Sequence, residues 1–121
     1  MTVLLLALAG GLGAVARFVL DGTVTAARSW RYPMGTTVIN LTGSFLLGLL
    51  AGLAGRVLPS SAYLVLGTGF LGGYTTFSTA VYETVRLAEQ RRWGAALLHG
   101  LGQVVVATAL AALGYAAGSA G

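Results

Sequence analysis

Cysteine and lysine are absent from this chain of 121 residues, and other reactive groups are scarce: three acids, Asp21, Glu83 and Glu89, and one histidine, His99. Without cysteine there is neither a disulfide framework nor a thiolate metal site. One histidine and three scattered acids exclude most metal clusters and paired-carboxylate catalysis. No nucleophile stands beside a base, so the chain is not expected to be an enzyme. The basic balance comes from seven arginines alone. They stand at the edges of apolar runs, whereas a nucleic-acid surface would gather them on one polar face, so no nucleic-acid partner is expected. Charged residues make up 8% and hydrophobic ones 56% of the sequence, too apolar for a soluble domain of this length.

What is there is membrane-like. Four apolar runs have the length of spanning helices, about 20 residues each. The first is Val3 to Leu20, read as a span because it lacks the basic start of a cleaved signal. A link, Asp21 to Tyr32, carries Arg28 and Arg31. Pro33 opens the second run, to about Ala54, where proline in a first helical turn costs little. Arg56 and Pro59 mark a short loop. The third run is Ala62 to about Ala88. Glu89-Gln90-Arg91-Arg92 makes a polar turn, and the fourth run is Trp93 to about Ala117. Trp30, Tyr32 and Trp93 fall at membrane edges, where amphipathic aromatics are favoured. The loops are too short to fold alone, so residues 1–121 read as a single all-α domain, multi-pass in the cell membrane and in contact with lipid. Gly48/Gly52, Ala51/Gly55 and Gly114/Gly118 have the small-xxx-small spacing of close helix contacts, and packing within one four-helix unit is the simpler use of it.

The third run is unusual. Gly69-Phe70-Leu71-Gly72-Gly73-Tyr74-Thr75-Thr76-Phe77-Ser78-Thr79 collects glycines and hydroxyls at bilayer depth. Each glycine weakens a helix by about 1 kcal/mol relative to alanine. Lipid cannot satisfy loose backbone groups, so a break there must face protein or a water-filled cavity. Broken helices with bare carbonyls at the midplane are a common way to build ion sites. Four thin helices enclose little polar volume, so a midplane site implies a dimer.

Several side chains are candidates for that site. Asn40 offers two donors and one acceptor. It serves as a helix-to-helix bond, a clamp on the break or an anion donor. Phe77 is a packing residue or presents its positive ring edge to an anion. Thr75, Thr76, Ser78 and Thr79 bond back to their own backbone, as hydroxyls in membrane helices do, or line the ion path. Arg17 snorkels to the interface or lines a vestibule. Glu83 pairs with an arginine at the rim or bonds to a loop. His99 and Gln103, four apart, share a helix face, as a packed pair or as a polar track.

Three motifs carry a resemblance. Gly10-Gly11-Leu12-Gly13-Ala14-Val15-Ala16-Arg17-Phe18 is similar to a first-helix signature, Tyr32-Pro33-Met34-Gly35-Thr36-Thr37-Val38-Ile39-Asn40-Leu41-Thr42-Gly43-Ser44-Phe45 to a second, and Gly69 to Thr79 to a third. Together they resemble the CrcB/Fluc family of fluoride channels. The resemblance implies antiparallel dimers of four-helix subunits with two fluoride pores, and a central sodium ion held by carbonyls at the break. By motif position those carbonyls are Gly72 and Thr75. It also implies Asn40 as a pore donor, Phe77 as the first ring of a pore-lining pair, Arg17 near the vestibule and Glu83 as the acid after the third motif. The family's second ring is replaced by Ala80, and its hydroxyl-based fourth-helix track by His99 and Gln103.

The implied activity is passive export of fluoride, which reduces its toxicity. Such conduction replaces the anion's hydration by graded weak contacts. The rival reading is a small multidrug-type proton-coupled antiporter, which needs a membrane-buried carboxylate that Val3 to Leu20 does not contain. One further expectation concerns the partner. The side bearing both termini and the Arg56 loop has one arginine. The other has Arg17, Arg28, Arg31, Arg86, Arg91 and Arg92. Short basic loops stay cytoplasmic, so the chain is expected to insert mostly one way and to pair with a homologous subunit of opposite bias.

Overall fold

The computed structural model describes residues 1–27 and 32–120. Among them every regular element is helical: α1 (Thr2–Ala27), α2 (Met34–Leu53), α3 (Ser60–Tyr63), a π-helical stretch π1 (Leu64–Leu71), α4 (Gly72–Tyr74), α5 (Ser78–Glu89), α6 (Trp93–Leu97), a second π-helical stretch π2 (Leu98–Gly102) and α7 (Gln103–Ser119). Among the described residues three helices are long and apolar enough to cross a membrane: Thr2–Ala27, Met34–Leu53 and the continuous run Trp93–Ser119. The chain is an all-α, multi-pass cell-membrane protein.

The expected link after Leu20 is a correction. The helix continues to Ala27, because hydropathy marks where apolar sequence ends and not where a helix must. Nothing in Asp21–Ala27 breaks it except Gly22, a cost of about 1 kcal/mol. Asp21 is also used: a Cβ on Gly35 would collide with its carboxylate, which therefore lies against the first turn of α2. A negative charge is favourable at that end of a helix. Arg28, Trp30 and Arg31, assigned to the link, lie outside the described residues.

Backbone contact organises the bundle. α2 packs most extensively against α7, and α1 against π1 and α4. A Cβ on Gly48 would strike the Ala111 carbonyl, and one on Gly114 the Phe45 carbonyl. A Cβ on Gly52 or Gly118 would likewise strike the Tyr115 or Leu49 carbonyl, so four members of the small-xxx-small set are used inside the subunit, where they let helix axes approach closely. Gly55 instead takes φ +81° in the turn after α2, a conformation glycine adopts without strain. The buried core is small: Ile39, Leu71 and Tyr74, with Ala16, Leu20, Leu50 and Phe70 packed on it. Leu4, Leu8, Leu12, Val15 and Val19 of α1 are all exposed.

Candidate functional site

The helical path stops after Tyr74 and resumes at Ser78. Thr75 is extended, with φ −82° and ψ 159°. Before it, π1 runs wide: the Gly72 N–H reaches the Gly67 carbonyl, five residues back. Such bulges often mark functional positions in helices.

Asn40 of α2 holds the interruption in place. Its Oδ1 accepts the Thr76 N–H at 2.9 Å, and its Nδ2 donates to the Thr76 carbonyl at 2.8 Å. One side-chain amide thus replaces the peptide partners that a helix would have supplied. The second Nδ2 hydrogen goes to Gln103 Oε1 at 2.7 Å. Of the roles open to Asn40, the geometry favours the clamp, since both N–H groups are already engaged.

The Thr76 hydroxyl supports the restart. It accepts the Thr79 N–H at 3.2 Å and donates to Thr79 Oγ1 at 3.1 Å. A hydroxyl accepting from the amide three residues on is the geometry of a helix N-cap. The Thr75 hydroxyl and the Thr75 N–H both bond to the Leu71 carbonyl, each at 2.9 Å. Thr75 therefore completes the last turn before the interruption.

These diversions fall on two carbonyls. In a continuous helix the Thr76 N–H would bond to the Gly72 carbonyl, and the Thr79 N–H to the Thr75 carbonyl. Here Asn40 takes the first donor and the Thr76 hydroxyl takes the second. Gly72 and Thr75 thereby lose their helical partners. The intervening Gly73 carbonyl accepts from Arg17 Nε at 3.2 Å. With α1 running to Ala27, Arg17 lies well inside its helix, against the break.

Phe77 is 79% exposed and stands on an open groove of about 930 Å³, lined also by Asn40, Gly72, Thr75, Thr76 and Gln103. Ala80 lines the same groove, and Ser78 is exposed beside it. Asn40, Gln103 and several hydroxyl residues line it together with leucine, valine and alanine side chains.

His99 is fully buried and Gln103 nearly so. Gln103 Nε2 lies 3.1 Å from His99 Nδ1, and His99 Nε2 lies 3.2 Å from Glu83 Oε1. The partner found for Glu83 is this histidine, where an arginine or a loop backbone was expected. The spacing did bring His99 and Gln103 to one face, but it did not show that Asn40 joins them. Tyr32 and Thr37 also belong to this cluster and were not expected in it. The Tyr32 ring meets His99 edge-on at 5.3 Å, and Thr37 Oγ1 lies 3.4 Å from His99 Nδ1. Thr37 and Asn40 are three apart on one helix, a spacing that brings side chains together. Burial pushes the Tyr32 phenol above its ordinary range, the Thr37 bond works against this, and Glu83 adds to it. Beyond Tyr32 a second groove, about 380 Å³, is lined by Asp21, Tyr32, Glu83 and Arg86.

The family model described as "CrcB-like protein, Camphor Resistance (CrcB)" matches residues 4–115. The chain belongs to this family. A CrcB-family relative from Leifsonia xyli, named fluoride-specific ion channel FluC 1, is 57% identical over 115 residues, 94% of this chain and 84% of that protein. A Cutibacterium acnes protein, fluoride-specific ion channel FluC 2, is 51% identical over 123 aligned positions, 98% of each chain. A Geobacillus kaustophilus protein, fluoride-specific ion channel FluC 1, is 42% identical across 95% of this chain and 96% of its own. The CrcB match covers all the candidate side chains, from Arg17 to Gln103.

Proposed function

We propose that the chain is a subunit of a fluoride-selective channel that lets the anion leave the cytoplasm passively. Near-full-length similarity to proteins named as fluoride-specific channels supports the ion. The antiporter reading has no comparable support. The observation that carries the mechanism is the helix interruption, held by the Asn40 amide on both sides of the Thr76 peptide.

The interrupted helix serves as the third of four spans, with its break near the bilayer midplane. The apolar outer face of α1 meets lipid. The open groove with its projecting Phe77 is where an antiparallel second subunit docks, and the ring edge then faces the anion path. Thr76, Ser78, Thr79 and Phe77 offer weak contacts, and conduction needs contacts weak enough to leave.

A sodium ion at the dimer centre fits the donor set. Hard cations take oxygen ligands, and unwound backbone carbonyls commonly supply them. The Gly72 and Thr75 carbonyls, deprived of their helical donors, would provide two ligands from each subunit. When bound, the ion contributes fixed positive charge that this sparsely charged membrane interior otherwise lacks. Arg17 keeps the Gly73 carbonyl out of that set by bonding to it.

The partner is proposed to be a homologous subunit of opposite orientation bias. With Arg17 lying inside its helix, the count is one arginine, Arg56, against five: Arg28, Arg31, Arg86, Arg91 and Arg92. The bias persists, and Ala80 leaves a ring for the partner to provide. Expression in a bacterium lacking its fluoride exporter tests the function. Growth is restored at fluoride levels that arrest the parent, and no protection, with or without a homologous subunit, would defeat the proposal.

A further inference from the structure

A chain of hydrogen bonds runs from the break to Glu83, and the Thr76 peptide sets the direction at its start. The Thr76 peptide presents an N–H and a carbonyl to one side chain, so Asn40 must place Oδ1 toward the first and Nδ2 toward the second. The remaining Nδ2 hydrogen requires an acceptor in Gln103, which therefore turns Oε1 to Asn40. Gln103 Nε2 is left facing His99 Nδ1 at 3.1 Å and the His99 carbonyl at 3.2 Å. An amide nitrogen only donates. We take His99 Nδ1 as the acceptor of the second Gln103 hydrogen, with Thr37 Oγ1 also 3.4 Å from Nδ1 and its own hydrogen given to the Pro33 carbonyl, which leaves the ring proton on Nε2, facing Glu83 Oε1. All of the buried side-chain polar atoms among the described residues have a hydrogen-bond partner.

We propose that His99 and Gln103 are positioning residues: they fix the amide orientation of Asn40, and through it hold the Thr76 peptide out of the helix, while not contacting the ion. This inference rests on the channel reading for its flux readout only. A reversed Gln103 amide would set two NH₂ groups against each other at 2.7 Å. Asn40 would then give up either Gln103 or the Thr76 carbonyl. The chain also explains why His99 is fully buried beside Gln103, at 0% and 8% exposure.

The test uses the difference between two conservative variants of His99. In His99→Asn the side-chain oxygen can stand where Nδ1 accepts from Gln103, and the contact with Glu83 is given up. In His99→Gln the amide reaches toward Glu83, and the Nδ1 acceptor is given up. The assembled dimer of each is compared for fluoride efflux from liposomes and for N–H exchange of the Thr75–Thr79 segment by mass spectrometry. His99→Asn is expected to stay within about threefold of the parent in both. His99→Gln and Gln103→Leu are expected to lose flux about tenfold and to speed exchange by a similar factor, the scale of one buried donor left without an acceptor. If His99 variants fail to assemble, Gln103→Leu decides: faster exchange of the segment together with lower flux supports the inference, and exchange as slow as the parent's overturns it. The reverse order of the His99 variants, or loss of flux with unchanged exchange in Gln103→Leu, would overturn the inference. Should the parent conduct no fluoride, the channel reading fails and the exchange comparison alone decides this one.

Discussion

At the scale of single residues, the account turns on which donors are spent. Asn40 makes three hydrogen bonds, two of them to one peptide group. Asn40→Ala should lower fluoride flux by at least about tenfold and speed exchange at Thr76, because a buried peptide left unpaired costs about 1–3 kcal/mol. Phe77→Ala is expected to lower flux as strongly while leaving the melting temperature of the separated subunit nearly unchanged. The ring is 79% exposed and contributes little to the subunit's own core. Unchanged flux in either variant would return that residue to a packing role. The sequence showed Asn40, His99 and Gln103 as unusual for their setting, because polar groups are expensive in a membrane. It did not show their pairing. Asn40 and Gln103 lie 63 positions apart, and no local spacing encodes a contact made by helix packing.

At the scale of elements, Gly69 to Thr79 raised the expectation of a weak helix, since glycines and hydroxyls weaken helices for known reasons, and α4 ends at Tyr74 with α5 starting at Ser78. The two π-helical stretches were not legible, because wide turns carry no residue signature. The end of α1 was misplaced because Asp21 was read as a stop, whereas it packs against the start of α2. Glycine positions separate two roles. A Cβ at Gly73 would collide with the Gly10 carbonyl of α1, but one at Gly72 would meet only the Gly67 carbonyl, at 3.9 Å. Gly73→Ala should therefore destabilise the folded subunit by roughly 1–3 kcal/mol, seen as a lower melting temperature in detergent. Gly72→Leu should leave the subunit's helix content intact and abolish flux, because it crowds the groove side of the break. Equal flux in Gly72→Leu and the parent would remove Gly72 from the ion site.

At the scale of the whole molecule, the proposed orientation and partner rest on charge. Short basic loops stay in the cytoplasm, and in the proposed four-span topology the arginine count is five against one. Single cysteines introduced at the Arg56 loop and at the Glu89–Arg92 turn, labelled from outside intact cells, should react at the first site and not at the second. Equal labelling at both would favour dual insertion and a homodimer. The central claim, passive conduction of fluoride, is tested most directly by efflux from potassium-loaded liposomes holding the assembled dimer. A channel moves charge, so efflux should start only when valinomycin lets potassium leave with the anion, and it should be large for fluoride and negligible for chloride. Fluoride release without valinomycin, driven instead by an imposed proton gradient, or no fluoride release at all, would contradict it.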